Sequence, residues 1–423
     1  MLQETLRYEY GAEGSRQFFE QCEIRLEYIR KEISNTNPDE HESLENNAAL
    51  LNALSDLISR IERSSIGEYS WPFVDELKKI ANAICTENTL IRAQAPPKIH
   101  VLSDGGLDKY AIAIEPKRPS GGTRRILTIV FPRSLKHYVL LHPVLGHELG
   151  HAIWQGSEHE RSLQKIIEDK LLQTNQKFMN PDLAAAWMYS PQAPQGIKDE
   201  LAAYHSKYGI DQTTFFQHVA NWQAWVEEIT CDLIGLATFG PSFVAALNQL
   251  LYGLMSSGVG FSPAHPPVGC RVNLMLSAIR LLGYDKMSVA NQHHQKDIDD
   301  FWGQLHTQKQ TNSWFDIFSD QELLDTLTEI RGLLSLHPPA CYESPNPIQF
   351  DKLLQQLLNQ IPPLDFNVNS DGTLSCVDVD FRHILYAGWV SSKKDSKTSF
   401  FDINRLCEHA IMQLGAIRTF KSP

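Results

Sequence analysis

Two histidines four residues apart, with a glutamate directly after the first, stand out in His147-Glu148-Leu149-Gly150-His151. On a helix this spacing puts both imidazoles on one face, one turn apart, as a shared metal ion requires. Glu148 lies beside them and can reach a water on the same ion. Zinc lowers the pKa of such a water to ~7, so a neighbouring carboxylate can take its proton and aim it at a peptide carbonyl. Val144, Leu145, Ala152 and Ile153 are apolar and can cover the other helix faces. The chain has 16 histidines, so H-E-x-x-H arises by chance in roughly 3–4% of shuffled sequences, and the pattern needs support from elsewhere. His142, five residues before His147, is off register and reads as structural.

A zinc site needs a third protein ligand. One class takes a third histidine from H-E-x-x-H-x-x-G-x-x-H, but that frame falls here on Trp154 and Ser157. Gly156 and His159 sit two places late, which keeps His159 as a minor candidate. Another class takes a glutamate from a later helix, with an aspartate four residues on. Glu228 and Asp232 fit that pattern, at i and i+4 on one face. Glu228 would bind the metal, and Asp232 would accept a hydrogen bond from the outer nitrogen of a ligand histidine. The surrounding helix is apolar, and carboxylates in such a helix call for partners. Glu227 is the rival ligand, with Cys231 four residues on as a poorer support.

The segment Ala264-His265-Pro266-Pro267-Val268-Gly269-Cys270-Arg271 follows. His265 and Arg271 could supply donors for the oxyanion of a tetrahedral intermediate. The competing reading is a helix-entry loop, with the prolines fixing the backbone and His265 as an ordinary cap.

These residues must be positioned by the elements around them. The first ~95 residues carry helical periods, as in Cys22, Leu26 and Ile29, then Leu50, Leu54 and Ile58, then Val74, Leu77, Ile80 and Ile84. Near Pro96-Pro97 the pattern changes. Lys98–Leu102, Tyr110–Glu115 and above all Ile126–Phe131 read as strands of a small antiparallel sheet before the motif helix. After the motif come a polar helix from Glu158 and loops over 175–198. Trp222–Leu236 and roughly Ser242–Leu254 read as helices, separated at Gly240-Pro241. Further helices are expected near 320–336, 347–361 and 402–414, while Cys376–Val390 fits strand or helix. The fold class expected is α+β and mainly helical, with a small sheet and a helical catalytic core. The expected domains are a helical region 1–95, a catalytic domain 96–290 and a helical region 291–423.

The 423 residues are 42% hydrophobic and 21% charged, as in a soluble globular chain. A net charge of −12 disfavours general affinity for nucleic acid or anionic membranes. Seven widely spaced cysteines without a C-x-x-C pair fit a reducing compartment. The start, MLQETLRYEYGAEG, does not read as a signal peptide. The apolar region Ile229–Met255 is interrupted by polar residues and reads as buried helices rather than a membrane span.

In this order, HELGH, the Glu228–Asp232 helix, and His265-Pro266-Pro267 with Arg271 six residues after the histidine resemble the gluzincin metallopeptidases. The likeness is to the branch with the CaaX prenyl endopeptidases and the heat-shock membrane protease. It extends over about Ile99–Leu282 and is strongest over Glu228–Arg271. The resemblance implies one zinc ion per chain on His147, His151 and Glu228, and Glu148 as general base and acid. It implies Asp232 as the support of a ligand histidine, and His265 and Arg271 as helpers of substrate or transition state. It also implies that Ile126–Phe131 is an edge strand to which substrate adds as a further strand. The named relatives are membrane proteins, whereas no stretch here reads as a spanning helix. The expectation is therefore a cytoplasmic zinc endopeptidase acting on protein or peptide, with a regulatory partner for the helical flanks as a further expectation. Two other readings stand beside it. One is an inactive metal-binding scaffold, against which Glu148 argues. The other is a helical interaction protein in which HELGH is accidental.

Overall fold

The computed structural model describes residues 13–37, 40–63, 71–86, 98–104, 110–114, 126–156, 222–255, 265–266, 268–308, 319–336, 338–368, 374–392 and 398–421, with isolated positions at 191, 195, 198–199, 202, 206 and 370. His159 and the polar helix expected from Glu158 lie outside these residues, as do nearly all of the loops over 175–198. The chain divides into two compact units, Met1–His137 and Tyr138–Pro423. The three N-terminal strands thus lie in the first unit, and 291–423 lies with HELGH in the second.

In the first unit, α1 (Glu13–Asn35), α2 (His41–Arg63) and α3 (Trp71–Thr86) follow the helical periods. Their buried faces include Cys22 and Ile29, Leu54 and Ile58, and Phe73, Leu77, Ile80 and Ile84. The strands β1 (Lys98–Asp104), β2 (Ala111–Ile114) and β3 (Ile126–Pro132) form a sheet in the order β1-β3-β2. β3 pairs parallel with β1 along its whole length and antiparallel with β2. The sheet is therefore mixed rather than antiparallel throughout. Alternation in a sequence marks which residues share a face but not which strands are neighbours. Leu127, Ile129, Val130 and Phe131 are all buried, as in a strand covered on both faces. Phe131 meets the rings of Phe73 and Tyr110 edge-on, at centroid distances of 6.3 and 6.0 Å. Because both hydrogen-bonding edges of β3 are taken, it is not the edge strand the resemblance implied. A substrate strand has no backbone groups to pair with there.

In the second unit, a short turn over His142–Val144 leads into α4 (Leu145–Gly156), which carries HELGH. Then come α5 (Trp222–Phe239) and α6 (Pro241–Met255). Between them Gly240 takes φ 60°, and Pro241 opens the next helix, the usual stop and start chemistry of these two residues. The ring of Tyr342 occupies the space a Cβ on Gly240 would need. α7 (Val268–Leu282) ends at Gly283, also left-handed. Asn291, Ser319 and Asn346 cap α8 (Gln292–Thr307), α9 (Asp320–Ser335) and α10 (Pro347–Leu358), Ser319 within a capping box with Glu322. A small hairpin, β4 (Phe366–Val368) and β5 (Leu374–Cys376), precedes α11 (Phe381–Ser392) and α12 (Phe400–Lys421). The ambiguous stretch Cys376–Val390 is thus the end of a strand followed by a helix. The architecture is mainly helical α+β, and no described helix is long and apolar enough to cross a membrane.

Gly240→Ala should lower the stability to urea by ~1–3 kcal/mol, because a Cβ meets both the left-handed backbone and the Tyr342 ring. A change below ~0.5 kcal/mol, the range of neutral surface substitutions, would contradict this packing.

Candidate metal centre

The site rests on a close contact between α4 and α5. A Cβ on Gly146 would come within 2.8 Å of the Phe239 ring and 2.9 Å of Gly235 Cα. A Cβ on Gly150 would come within 2.7 Å of Cys231 Cα. Gly146 thus faces the later part of α5 and Gly150 the earlier part, so the helices run in opposite directions. Without side chains at these two positions the backbones approach closely. That closeness lets Glu228 reach both histidines of α4.

His147 Nε2 and His151 Nε2 are 3.1 Å apart. Glu228 Oε2 is 3.4 Å from the first, and Glu228 Oε1 is 3.3 Å from the second. Each imidazole thus faces its own oxygen of the Glu228 carboxylate, and one ligand atom from each of the three residues lies within 4.8 Å of the others. Both outer nitrogens are held by carboxylates. His147 Nδ1 lies 2.8 Å from Asp232 Oδ1, and His151 Nδ1 lies 2.8 Å from Glu227 Oε1. A carboxylate only accepts, so each Nδ1 carries the hydrogen. In a neutral imidazole the Nε2 lone pair then points inward. With both rings neutral, two lone pairs and a carboxylate converge. Glu228 Oε2 is buried and accepts no hydrogen bond. Such a cluster fits a cation.

The electrostatics agree. With neutral imidazoles, Glu227, Glu228, Asp232 and Arg271 together carry two net negative charges, which a divalent ion would balance. Burial alone would push the His147 imidazole down, but the charge and hydrogen bond of Asp232, with Glu228, hold it above its ordinary value. Burial likewise disfavours charge on His151, yet contacts with Cys231, Glu227 and Glu228 raise it. Burial works against the Glu228 carboxylate too, but the two histidines and Arg271 hold it well below the usual carboxylate range. Asp232 is held low in the same way, by Arg271 and His147. The site favours positive charge at its centre.

No protein-family model, curated protein or solved structure matches this chain. The site must be read from its own residues. Arg271 is buried, and it donates to Asp232 from Nε at 2.7 Å and from Nη2 at 2.8 Å. Its Nη1 is 3.5 Å from Glu228 Oε2. The guanidinium therefore stands behind the ligands, and its donors are directed at Asp232 and Glu228. His265 is different. Its side chain is 56% exposed, with Nε2 3.6 Å from Glu228 Oε1. Glu148 is half-buried on α4, beside His147.

Two features of the site are not visible in residue spacing alone. One is the role of Glu227, which orients His151 while Glu228 faces the centre. Two adjacent carboxylates on a helix point about 100° apart, so both cannot face one ion, and the second was available for an outer nitrogen. The other is the glycine contact, whose signal is present as Gly146 and Gly150 at i and i+4, facing Cys231 and Gly235 at the same spacing.

One divalent metal per chain is expected, measured by elemental analysis after loading. Glu228→Ala should lose it, whereas His159→Ala should keep it, and the reverse would transfer the third ligand to His159. Removing the metal with a chelator should lower the unfolding midpoint. At a free metal concentration ~1,000 times Kd the stabilisation lost is ~4 kcal/mol. A midpoint indifferent to chelator would argue against a bound ion.

Proposed function

We propose that the protein is a zinc-dependent endopeptidase that works in the cytoplasm. The observation that carries this reading is the convergence of His147 Nε2, His151 Nε2 and the Glu228 carboxylate within 4.8 Å of one another, with both outer nitrogens already bound to carboxylates. Two imidazoles and one carboxylate suit zinc, and three protein ligands leave a position open, as in catalytic rather than structural sites. Zinc, when bound, lowers the pKa of a water to ~7 and polarises a carbonyl.

The protein's own residues then divide the work. Glu148 takes the proton of the attacking water and delivers it to the leaving amine. Its position directly after His147 puts it on the helix that bears both histidines. Asp232 and Glu227 fix the ring orientation and tautomer of His147 and His151 and raise their basicity. Arg271 holds Asp232 in place and tempers the charge of Glu228. It acts through these carboxylates as a positioning residue. His265, exposed and with Nε2 3.6 Å from Glu228 Oε1, is the residue assigned to donate to the oxyanion. The substrate is a protein or peptide, since hydrolysis by this set of groups needs only a polarised carbonyl and a leaving amine.

The six described cysteines are free thiols, and five are buried. That supports a reducing compartment.

Glu148→Gln should retain the metal while lowering peptide cleavage by ~10²–10⁴-fold, the usual effect of losing a general base. Comparing new protein termini in cells with the wild type or with Glu148→Gln would also reveal substrates. Equal cleavage by both proteins would exclude Glu148 as the base.

A further inference from the structure

Leu140 precedes the motif helix by five residues, and α11 and α12 grip it from several sides. Asn404 Oδ1 on α12 accepts its N–H at 2.9 Å. Trp389 Nε1 on α11 donates to its carbonyl at 2.9 Å. Its side chain lies against Gly388, where a Cβ would fall 2.7 Å from Leu140 Cδ2. Leu140, Trp389 and Asn404 are fully buried. The other end of α11 holds the other ligand helix. Arg382 Nη1 donates to Thr238 O, in the last turn of α5, at 2.8 Å. Phe381 and Phe239 meet edge to face, with centroids 6.1 Å apart. Arg382 is itself braced by Asp380, to which its Nε donates at 2.9 and 3.0 Å.

Arg382 and Trp389 are seven residues apart, hence two turns apart on one face of α11 and ~10 Å apart along its axis. One rigid helix therefore touches the entry to α4 and the exit from α5. His147 lies in the first turn of α4, so the path of the chain at Leu140 decides where that turn begins. Glu228 lies on the same unbroken helix as Thr238. The spacings of 3.1–3.4 Å in the cluster leave little tolerance, and a misplacement of ~1 Å at a reacting site can cost ~10²-fold.

We propose that α11 is a strut that sets the separation of the two ligand-bearing helices, with Trp389, Asn404 and Arg382 as positioning residues of the metal centre. Its effect on catalysis rests on the zinc-peptidase reading; its mechanical coupling to α4 does not.

The test uses the full chain carrying Trp389→Phe, which keeps an aromatic ring but loses the indole N–H and some volume, or Asn404→Ala. Leu414→Ala, a cavity variant of a buried residue on α12, serves as the stability control. Two quantities are read: zinc affinity by competition with a chromogenic chelator, and hydrogen exchange of the amides of Leu145–Gly156. Trp389→Phe and Asn404→Ala should bind zinc ~10-fold or more weakly and speed exchange in this helix, while kcat falls and KM holds. Leu414→Ala should lose stability without these changes. If the two test variants match the control in both zinc affinity and exchange, the strut is overturned. If the wild type binds no zinc, the peptidase reading fails instead, and the exchange data alone decide the strut: unchanged exchange overturns it.

Discussion

Two imidazole nitrogens and the Glu228 carboxylate meet at spacings of 3.1, 3.3 and 3.4 Å between packed helices, with the outer nitrogens of both rings already committed. Burying such groups without a partner is costly, since each desolvated polar atom forfeits its water. A cation at the centre removes the cost for all three together. Much of the second unit can be understood from this requirement. The helices α4 and α5 must touch at their backbones, so glycines occupy the contact. The carboxylates around the histidines must stay charged, so a guanidinium is buried beside them.

The buried Arg271–Asp232 pair shows how finely that balance is drawn. Transferring two such charges from water costs several kcal/mol per ion, and their attraction only offsets it when the geometry is good and the remaining lone pairs are bonded. Here the fork is bidentate, and Asp232 Oδ1 also accepts from His147. Asp232 is therefore satisfied from two helices at once. It links α4, α5 and α7 through a single carboxylate. Removing Arg271 would leave Asp232 with His147 alone, and removing Asp232 would leave Arg271 with only the 3.5 Å approach to Glu228, so either loss costs more than never having had the pair.

The sequence was most legible where short-range geometry determines the outcome. His147 and His151 one turn apart, and Glu228 and Asp232 one turn apart, needed only the helical period. The helices themselves were readable to within a few residues, as at α5, because apolar periods and Gly240-Pro241 mark them. The meeting of the Glu228–Asp232 helix with the HELGH helix was legible too, and what failed was the placing of other neighbours. The strand Ile126–Phe131 was readable as a strand, but its central place between β1 and β2 was not. Arg271 read as a group for the substrate because its distance in sequence from Asp232 hides their contact. The grip of Trp389 and Asn404 on Leu140 spans some 250 residues of sequence, and no local pattern could announce it. Glu227 and Glu228 were separable only by the residues four positions on, Cys231 and Asp232.

Zinc K-edge X-ray absorption on the loaded full-length protein looks directly at the point between the two imidazoles and the Glu228 carboxylate. A single zinc environment with two imidazole nitrogens and the rest oxygen, at ~2.0–2.2 Å, is expected. A spectrum dominated by sulfur at ~2.3 Å, or a protein that takes up no zinc, would contradict it.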